Sequence, residues 1–147
     1  MAYKHILVAV DFSATSARVA EKAMEIARQN DARFSLLHVV DYLPPLGFAD
    51  DFMPSPALLV DENELMKHGK SSLELFAKKE NIPVNVPRHV MLGAPKQEIV
   101  DFASRQGVDL IVLGSHGRHG IGRLLGSTAS SVLNHAACDV LAVRILS

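Results

Sequence analysis

Four short, largely apolar runs constrain this chain more than any other feature of its sequence. They are His5–Val10, Phe34–Val40, Asp109–Leu113 and Val140–Leu146. Strands buried on both faces carry continuous Val, Ile and Leu, whereas a strand with one face in water alternates apolar and polar residues. A weaker fifth segment, Val84–Leu92, is interrupted by Pro87. The runs therefore predict five strands in a sheet that is covered on both faces.

Segments with a helical spacing of apolar residues lie between these runs. In Ser16–Arg28 apolar residues recur every three or four positions, and Ser13 is expected to cap that helix. Further helices are predicted over Leu58–Lys79, Lys96–Gln106 and Ser127–His135. Because strands and helices alternate, we expect one α/β domain over residues 1–147, with a parallel sheet between two layers of helices. The proline-rich stretch Asp41–Pro56 is expected to be a long irregular insertion.

Composition narrows the class of protein. The 147 residues include 15 Lys and Arg against 16 Asp and Glu, a formal net charge of −1, so binding of nucleic acid through bulk positive charge is not expected. No apolar run approaches the ~20 residues that span a bilayer. The single cysteine, Cys138, cannot form an internal disulfide, and the opening residues lack the layout of a secretory signal. These features predict a cytoplasmic protein with neither a membrane nor a nucleic-acid partner.

The glycine-rich stretch after the fourth strand holds most of the candidate chemistry. Residues 114–128, GSHGRHGIGRLLGST, contain five of the nine glycines and lead directly into the last helix. Glycine lets a ligand approach the backbone closely, and the N-terminus of a helix attracts anions. Ser127 and Thr128 add hydroxyl donors, and Arg118 and Arg123 add positive charge. Together these features predict a phosphate site at the carboxyl end of the sheet.

Two better-known phosphate motifs fit this sequence less well. Residues 69–71, Gly-Lys-Ser, end like a P-loop, but Glu64 stands where that motif needs its first glycine, and the stretch lies within a helical pattern. Gly120, Gly122 and Gly126 imitate a dinucleotide fingerprint with one extra residue. That alternative is weak, because the stretch follows the fourth strand and no acidic residue ends the next strand to hold a ribose.

Essentially the whole chain resembles the universal stress protein family. The resemblance rests on HILVAVDFS, on LLHVV at residues 36–40 and on the closing stretch 114–144. The nucleotide-binding branch of that family carries G-x2-G-x9-G-[ST] after its fourth strand. Gly114, Gly117, Gly126 and Ser127 fill this pattern, with eight rather than nine residues between the second and third glycines. The resemblance implies an open, doubly wound parallel sheet of five strands in the order 3-2-1-4-5.

The resemblance also implies a ligand and its contacts. The ligand is an adenine nucleotide, ATP foremost, with or without Mg or Mn. The implied contacts are Asp11, Val39, Gly114, Gly117, Gly126, Ser127 and Thr128. Ala9, His116 and Arg118 are further candidate contacts. Asp11 would contact the ribose or adenine side, Val39 would meet the adenine edge through its backbone, and the glycine loop would wrap the phosphates. Asp11 could instead, or in addition, stabilise the N-terminus of the first helix.

The predicted function is that of a stress-response protein that binds a nucleotide and acts through ligand-dependent contacts. Efficient ATP hydrolysis is not indicated, because the loop offers Arg118 and two histidines but no acid; at most a slow ATPase is expected. His116 and His119 alone do not make a zinc site. His38 is expected to be a satisfied core histidine, and Cys138 a packing residue. The alternative is a dimeric interaction module that binds no nucleotide, since one family branch lacks the glycine motif.

The edges of the predicted sheet indicate how the protein assembles. In the order 3-2-1-4-5, strands three and five carry unpaired backbone groups. Pro87, Arg88 and His89 make the third strand a poor edge for pairing, whereas Asp139–Leu146 has no proline. A two-fold partner would cover that bare edge, and the resemblance implies antiparallel pairing of the same strands. We therefore expect a homodimer that buries about 1,200 Å² or more in total. Its interface residues would be Val140, Leu141, Ala142, Val143, Arg144 and Ile145.

Overall fold

Strands and helices alternate along the computed structural model, which describes residues 2–42, 61–115 and 125–144. The strands are β1 (His5–Ala9), β2 (Arg33–Asp41), β3 (Arg88–Gly93), β4 (Leu110–Gly114) and β5 (Asp139–Val143). The helices are α1 (Ser16–Asn30), α2 (Glu62–Lys79), α3 (Pro95–Arg105) and α4 (Ser127–His135).

The five strands form one parallel sheet in the order β3-β2-β1-β4-β5. Strand β1 lies at its centre, where Leu7 is opposite Ser35 of β2 and Ile111 of β4. The predicted fold and strand order are therefore confirmed. The direction of winding reverses between β1 and β4, and in such sheets a crevice opens beyond the carboxyl ends of those two strands.

Helices cover both faces of the sheet. Helices α1 and α2 pack on the face that carries Ile6 and Val8, whereas α3 and α4 pack on the face that carries Leu7 and Ile111. All four of these strand side chains are fully buried. Because successive residues of a strand point to opposite faces, burial of both faces explains why the strand sequences do not alternate.

Helix α1 begins later than the predicted cap at Ser13. Its N-cap is Thr15, whose side chain makes no capping hydrogen bond. Ser13 instead donates its backbone N–H to Oδ1 of Asp11 at 2.9 Å, and its Oγ lies 3.0 Å from Oγ1 of Thr15. The prediction for Ser13 is wrong because Asp11 accepts from the N–H two residues ahead, forming an Asx-turn that precedes the helix.

Helix α2 also begins later than predicted, at Glu62 rather than Leu58. Its N-cap is Asp61, whose carboxylate accepts a hydrogen bond from the N–H of Asn63 at 2.9 Å. A carboxylate in this position satisfies one of the N–H groups that the first turn leaves without a partner. Residues 43–60, which include most of the predicted insertion, lie outside the described residues.

Strand β3 is shorter than the predicted segment Val84–Leu92, because its first residues form a turn in which the N–H of Val86 donates to the carbonyl of Pro83. The guanidinium of Arg88 donates to the carbonyls of this turn, and its Nε lies 3.2 Å from Oε1 of Glu74. At the opposite edge, β5 ends at Val143 rather than Leu146, and residues 145–147 lie outside the described part.

Gly69 brings α2 close to the sheet. It is buried in the middle of the helix, and a Cβ built on it would lie 2.9 Å from Cγ1 of Val90 and 3.0 Å from Cγ2 of Val40. Both neighbours are β-branched and therefore have little rotamer freedom. Glycine at this position is thus a packing requirement, and Gly69 lies inside a helix rather than in a P-loop, as the sequence indicated.

We predict that Gly69→Val destabilises the protein by about 2 kcal/mol, because the added side chain overpacks the contact between α2 and the sheet. Ser71→Val is the matched control, since Ser71 is exposed on the same helix and surface substitutions stay within about 0.5 kcal/mol. Urea unfolding of both variants measures the difference. Equal stability of the two variants would contradict this account of Gly69.

Two histidines lie near the amino-terminal ends of their strands, His5 in β1 and His89 in β3, next to α3. His5 is 5% exposed; its Nε2 lies 2.8 Å from Oγ of Ser35 and its Nδ1 lies 3.3 Å from the carbonyl oxygen of Gln106. The ring of His89 packs on Phe102, with centroids 4.8 Å apart. Burial lowers the pKa of both imidazoles, and the positive charge of Arg33 further lowers the pKa of His5. Both side chains therefore favour the neutral form in the folded protein.

The free energy of unfolding is predicted to decrease in mild acid. The folded-state pKa values of His5 and His89 lie below the ordinary 6.5, so the unfolded chain binds more protons below that pH. The stabilisation is therefore full above about pH 6.5 and declines as the pH falls through the folded-state values. Asp109 does not cause this loss of stability, because its own pKa lies below 3.8. Burial raises the pKa of Asp109, but hydrogen bonds from the N–H groups of His5 and Lys4 lower it by more.

Urea unfolding at about pH 7 and about pH 5 tests this linkage. The free energy of unfolding of the wild type should be smaller at the lower pH, and the difference between the two pH values should shrink in His5→Gln, which has no imidazole to protonate. An unfolding free energy that is the same at both pH values would disprove the prediction.

Candidate functional site

A cavity of about 1090 Å³ opens where the carboxyl ends of the central strands meet the first turns of α1 and α4. This is the crevice that the reversal of winding between β1 and β4 creates. The sequence-predicted site residues that line it are Ala9, Asp11, Val39, Gly114, Gly126, Ser127 and Thr128. The remaining predicted contacts, His116, Gly117 and Arg118, lie outside the described residues.

The carboxylate of Asp11 lies just beyond β1 and has a structural partner on one oxygen. Its Oδ1 accepts the N–H of Ser13 at 2.9 Å and the hydroxyl of Ser16 at 3.1 Å. Ser16 is 3% exposed, so this second bond is shielded from water. In the described part of the chain no hydrogen bond reaches Oδ2. Asp11 therefore organises the start of α1, as the alternative interpretation expected, and still has an oxygen that can accept from a ligand.

The opposite wall of the cavity is the corner between β4 and α4. The N–H of Ser115 donates to the carbonyl of Val143 at 2.9 Å, which joins the end of β4 to the end of β5. The N–H of Gly126 donates to the carbonyl of Ser115 at 2.6 Å, so α4 begins directly beside the end of β4. These two backbone bonds fix the N-terminus of α4 at the cavity.

The first turn of α4 is electrostatically suited to an anion. Its N-cap, Gly126, has no side chain that could cap the helix, and the first turn contains no acidic residue. The first intrahelical bond is from the N–H of Ser130 to the carbonyl of Gly126 at 2.9 Å. The preceding N–H groups of Ser127, Thr128 and Ala129 therefore have no partner within the helix. Ser127, Thr128 and Ala129 all line the cavity, so the positive end of the helix dipole lies at its wall.

Two aromatic side chains that line the cavity were not predicted from the sequence as site residues. Phe12 has a φ of 61°, a left-handed conformation that is rare for a bulky residue. Its ring packs on the imidazole of His38, with centroids 4.1 Å apart. Nδ1 of His38 lies 2.8 Å from the carbonyl oxygen of Val10. The sequence correctly predicted a hydrogen-bonded histidine in β2, but its side chain borders the cavity rather than the closed core.

Helix α2 supplies another wall that the sequence gave no reason to include. Leu65, His68, Ser72 and Leu75 line the cavity and recur every three or four residues, so they share one face of α2. Leu75 is 70% exposed. This spacing is visible in the sequence, but it does not by itself distinguish a cavity wall from a solvated face. The wall formed by α2 thus combines two apolar side chains with two polar ones.

Other candidates lie away from this cavity. Cys138 is half-buried beside Ala103 and Val108 in a separate small cavity of about 140 Å³, and burial raises the pKa of its thiol. Across residues 2–42, 61–115 and 125–144, no three His, Cys, Asp or Glu side chains are grouped so as to hold a metal ion. None of the helices in these ranges is long and apolar enough to cross a membrane.

Comparison with known proteins identifies the family of this chain over nearly its full length. Residues 2–144 match the universal stress protein family. Universal stress protein A homolog 2 of Coxiella burnetii is 43% identical over 145 residues, which covers 97% of this chain and 96% of that protein. The solved structure of universal stress protein UspA from Lactobacillus plantarum is 30% identical with a TM-score of 0.74, covering 98% of this chain and 99% of that one.

A further solved structure shares the fold at lower identity. It is a universal stress protein in complex with cAMP, with a TM-score of 0.70 and 22% identity, covering 97% of this chain and 98% of that chain. The fold and the cavity thus define a doubly wound α/β protein with a crevice at the point where its winding reverses. The chain belongs to the universal stress protein family, as the sequence predicted.

Proposed function

We propose that this stress protein binds an adenine nucleotide, with ATP as the first candidate, and acts through contacts that depend on the bound ligand. The observation that carries the proposal is the pairing of two complementary groups across one cavity. The first turn of α4 offers N–H donors and hydroxyls, and Asp11 offers a carboxylate oxygen. An anionic tail and a set of ribose hydroxyls are the ligand groups that match these two walls.

The first turn of α4 would hold the phosphates. The unpaired N–H groups at Ser127 and Thr128 and the hydroxyls of both residues are donors, and no acidic side chain in this turn opposes an anion. A phosphate at a helix N-terminus is stabilised by these donors and by the helix dipole together. In the proposal the predicted contacts His116, Gly117 and Arg118 complete this end of the site.

The ends of β1 and β2 would hold the nucleoside. Oδ2 of Asp11 can accept from a ribose hydroxyl while Oδ1 keeps its bonds to Ser13 and Ser16. In β2, the carbonyl of Leu37 faces β1 and accepts the N–H of Val10. Alternate residues of a strand direct their backbone groups to the same side, so Val39 faces that side beyond the last β1–β2 pair. Its N–H and C=O form a donor–acceptor pair that matches the edge of adenine.

A relative of the same fold supports an adenine nucleotide as the ligand class, since that protein was solved in complex with cAMP. We also include a cytoplasmic location in the proposal, which agrees with a chain whose single cysteine, Cys138, has no internal disulfide partner. Efficient turnover is not part of the proposal, because the glycine-rich stretch 114–128 supplies arginines and histidines but no acidic residue.

Asp11→Asn tests the nucleotide site without removing the turn. The amide oxygen can still accept from Ser13 and Ser16, but the NH₂ group cannot accept from a ribose hydroxyl. We expect ATP affinity to fall about tenfold or more, as for loss of a hydrogen bond to a charged group. Glu21→Gln, which removes an exposed carboxylate on α1, should leave affinity unchanged. Isothermal titration with ATP and AMP measures both variants.

Two results would reject the nucleotide proposal. One is the absence of any nucleotide released from freshly purified, denatured protein together with no heat of binding at about millimolar ATP, where a Kd of that order would still be detected. The other is equal affinity of wild type and Asp11→Asn. The first result would favour the dimeric interaction module that binds no nucleotide, whereas the second would exclude the Asp11 carboxylate as a ligand contact.

We also propose that the protein is a homodimer through β5. The carbonyl of Val143 accepts from Ser115 and therefore faces β4, so the backbone groups of Val140 and Ala142 face outward. In the described ranges this edge pairs with no other strand, and Val140 and Ala142 are only half-buried. Antiparallel pairing with the same strand of a second copy would satisfy these groups and close the assembly. Ile145 of the predicted interface lies outside the described residues.

Ala142→Pro tests this interface because it removes one outward N–H while the bonds from β5 to β4 remain. We expect the wild type to be a dimer in light scattering at micromolar concentration, and the proline variant to shift toward monomer with its circular dichroism unchanged. Ala142→Val, which keeps the N–H, should remain dimeric. A monomeric wild type near 16.0 kDa, or a folded Ala142→Pro dimer, would overturn the proposal.

A further inference from the structure

We infer that His38 is a positioning residue that prepares both nucleoside-binding groups of the cavity, through its ring nitrogen on one side and its ring face on the other. The inference rests on the proposed nucleotide site and assigns a role in it to His38 and Phe12, which line the cavity but are not among the predicted ligand contacts. Neither residue is proposed to react; each acts through a neighbour that would contact the ligand.

The ring nitrogen of His38 acts on the backbone of Val39. In a continued parallel ladder, the N–H of Val39 would donate to the carbonyl of Val10, because Leu37 already pairs with this end of β1. Instead Nδ1 of His38 lies 2.8 Å from that carbonyl oxygen. A carbonyl oxygen only accepts, so Nδ1 carries the proton and donates it. The ladder between β1 and β2 ends at this point. Among the described residues the N–H of Val39 donates to no backbone carbonyl of β1 or its continuation, so this donor is available at the cavity wall.

The ring face of His38 acts on Asp11 through Phe12. Phe12 is left-handed, with a φ of 61°, a conformation that costs a bulky L-residue free energy and is uncommon without compensation. Its ring packs on His38 with centroids 4.1 Å apart and lies 6.0 Å from the ring of Phe76. The same turn places Oδ1 of Asp11 on the N–H of Ser13. The aromatic contact therefore holds the conformation that presents the Asp11 carboxylate.

Each of these two contacts acts on a different backbone amide, so a substitution that removes one contact should change one amide and leave the other unchanged. We call this the crossed amide pattern, and it can be measured without any nucleotide. His38→Phe keeps an aromatic ring but has no donor for Val10, so the N–H of Val39 should pair with that carbonyl and its solvent exchange should slow about tenfold. The amide of Ser13 should be unchanged. His38→Asn keeps a donor and loses the ring, so it should leave Val39 unchanged and speed exchange at Ser13.

Substitutions of Phe12 test the ring contact from the other side. Phe12→Ala keeps the cost of the left-handed backbone and loses the aromatic contact, so the turn should open and the Ser13 amide should exchange about tenfold faster. Phe12→Gly adopts a φ of 61° without that cost and should lie between Phe12→Ala and the wild type. The Val39 amide should not respond to either substitution.

The experiment is amide exchange measured by NMR on the ligand-free full chain, followed by ATP titration of the same variants. We expect ATP affinity to fall about fivefold or more in His38→Phe and in Phe12→Ala, and less in Phe12→Gly. Amides of Val39 and Ser13 that respond together in every variant, or not at all, would overturn the inference. If wild type binds no ATP, the proposed function fails, whereas the crossed amide pattern still decides the role of His38.

Discussion

Strand β1 pairs along both of its edges and is buried on both of its faces, and the rest of the molecule is arranged around that constraint. It lies between β2 and β4, and Ile6, Leu7 and Val8 are all fully buried. A strand in this position has no solvent-facing side, so every polar group near it must find a protein partner. At the amino-terminal end of β1, His5 forms a hydrogen bond with Ser35. At its carboxyl end, the chain leaves the sheet at Asp11.

The polarity of the cavity follows from that exit. Parallel strands all end at the same edge, so the helices that follow β1 and β4 begin there and direct the positive ends of their dipoles to it. The start of α1 is already supplied with a carboxylate by Asp11, which bonds Ser13 and Ser16. The start of α4 has a glycine cap and no acid. Two helices that enter one cavity therefore differ in charge, and this difference gives the cavity an accepting wall and a donating wall.

The sequence predicted the sheet and much of the cavity because these depend on local patterns. Continuous apolar runs predicted the strands, and the glycine motif and the acidic residue after β1 predicted Gly114, Gly126 and Asp11, which line one cavity. The prediction that Ser13 caps α1 was wrong, although a serine hydroxyl suits that role. The backbone N–H of Ser13 bonds to the Asp11 carboxylate two residues earlier, and this turn delays the start of the helix. The contact between Phe12 and His38 joins residues far apart in the chain, and no periodicity or motif encodes such a pair.

The bond between the N–H of Gly126 and the carbonyl of Ser115 has a consequence for how this family can vary. It joins the two ends of the glycine stretch independently of the number of residues between them. The entropic cost of joining two points of a chain grows only by about 0.6 kcal/mol for each doubling of the number of residues between them, so loss of one residue changes it very little. Sequences with eight or nine residues between the second and third glycines can therefore share the same anchored corner, and insertions or deletions in this stretch can accumulate without disturbing the sheet.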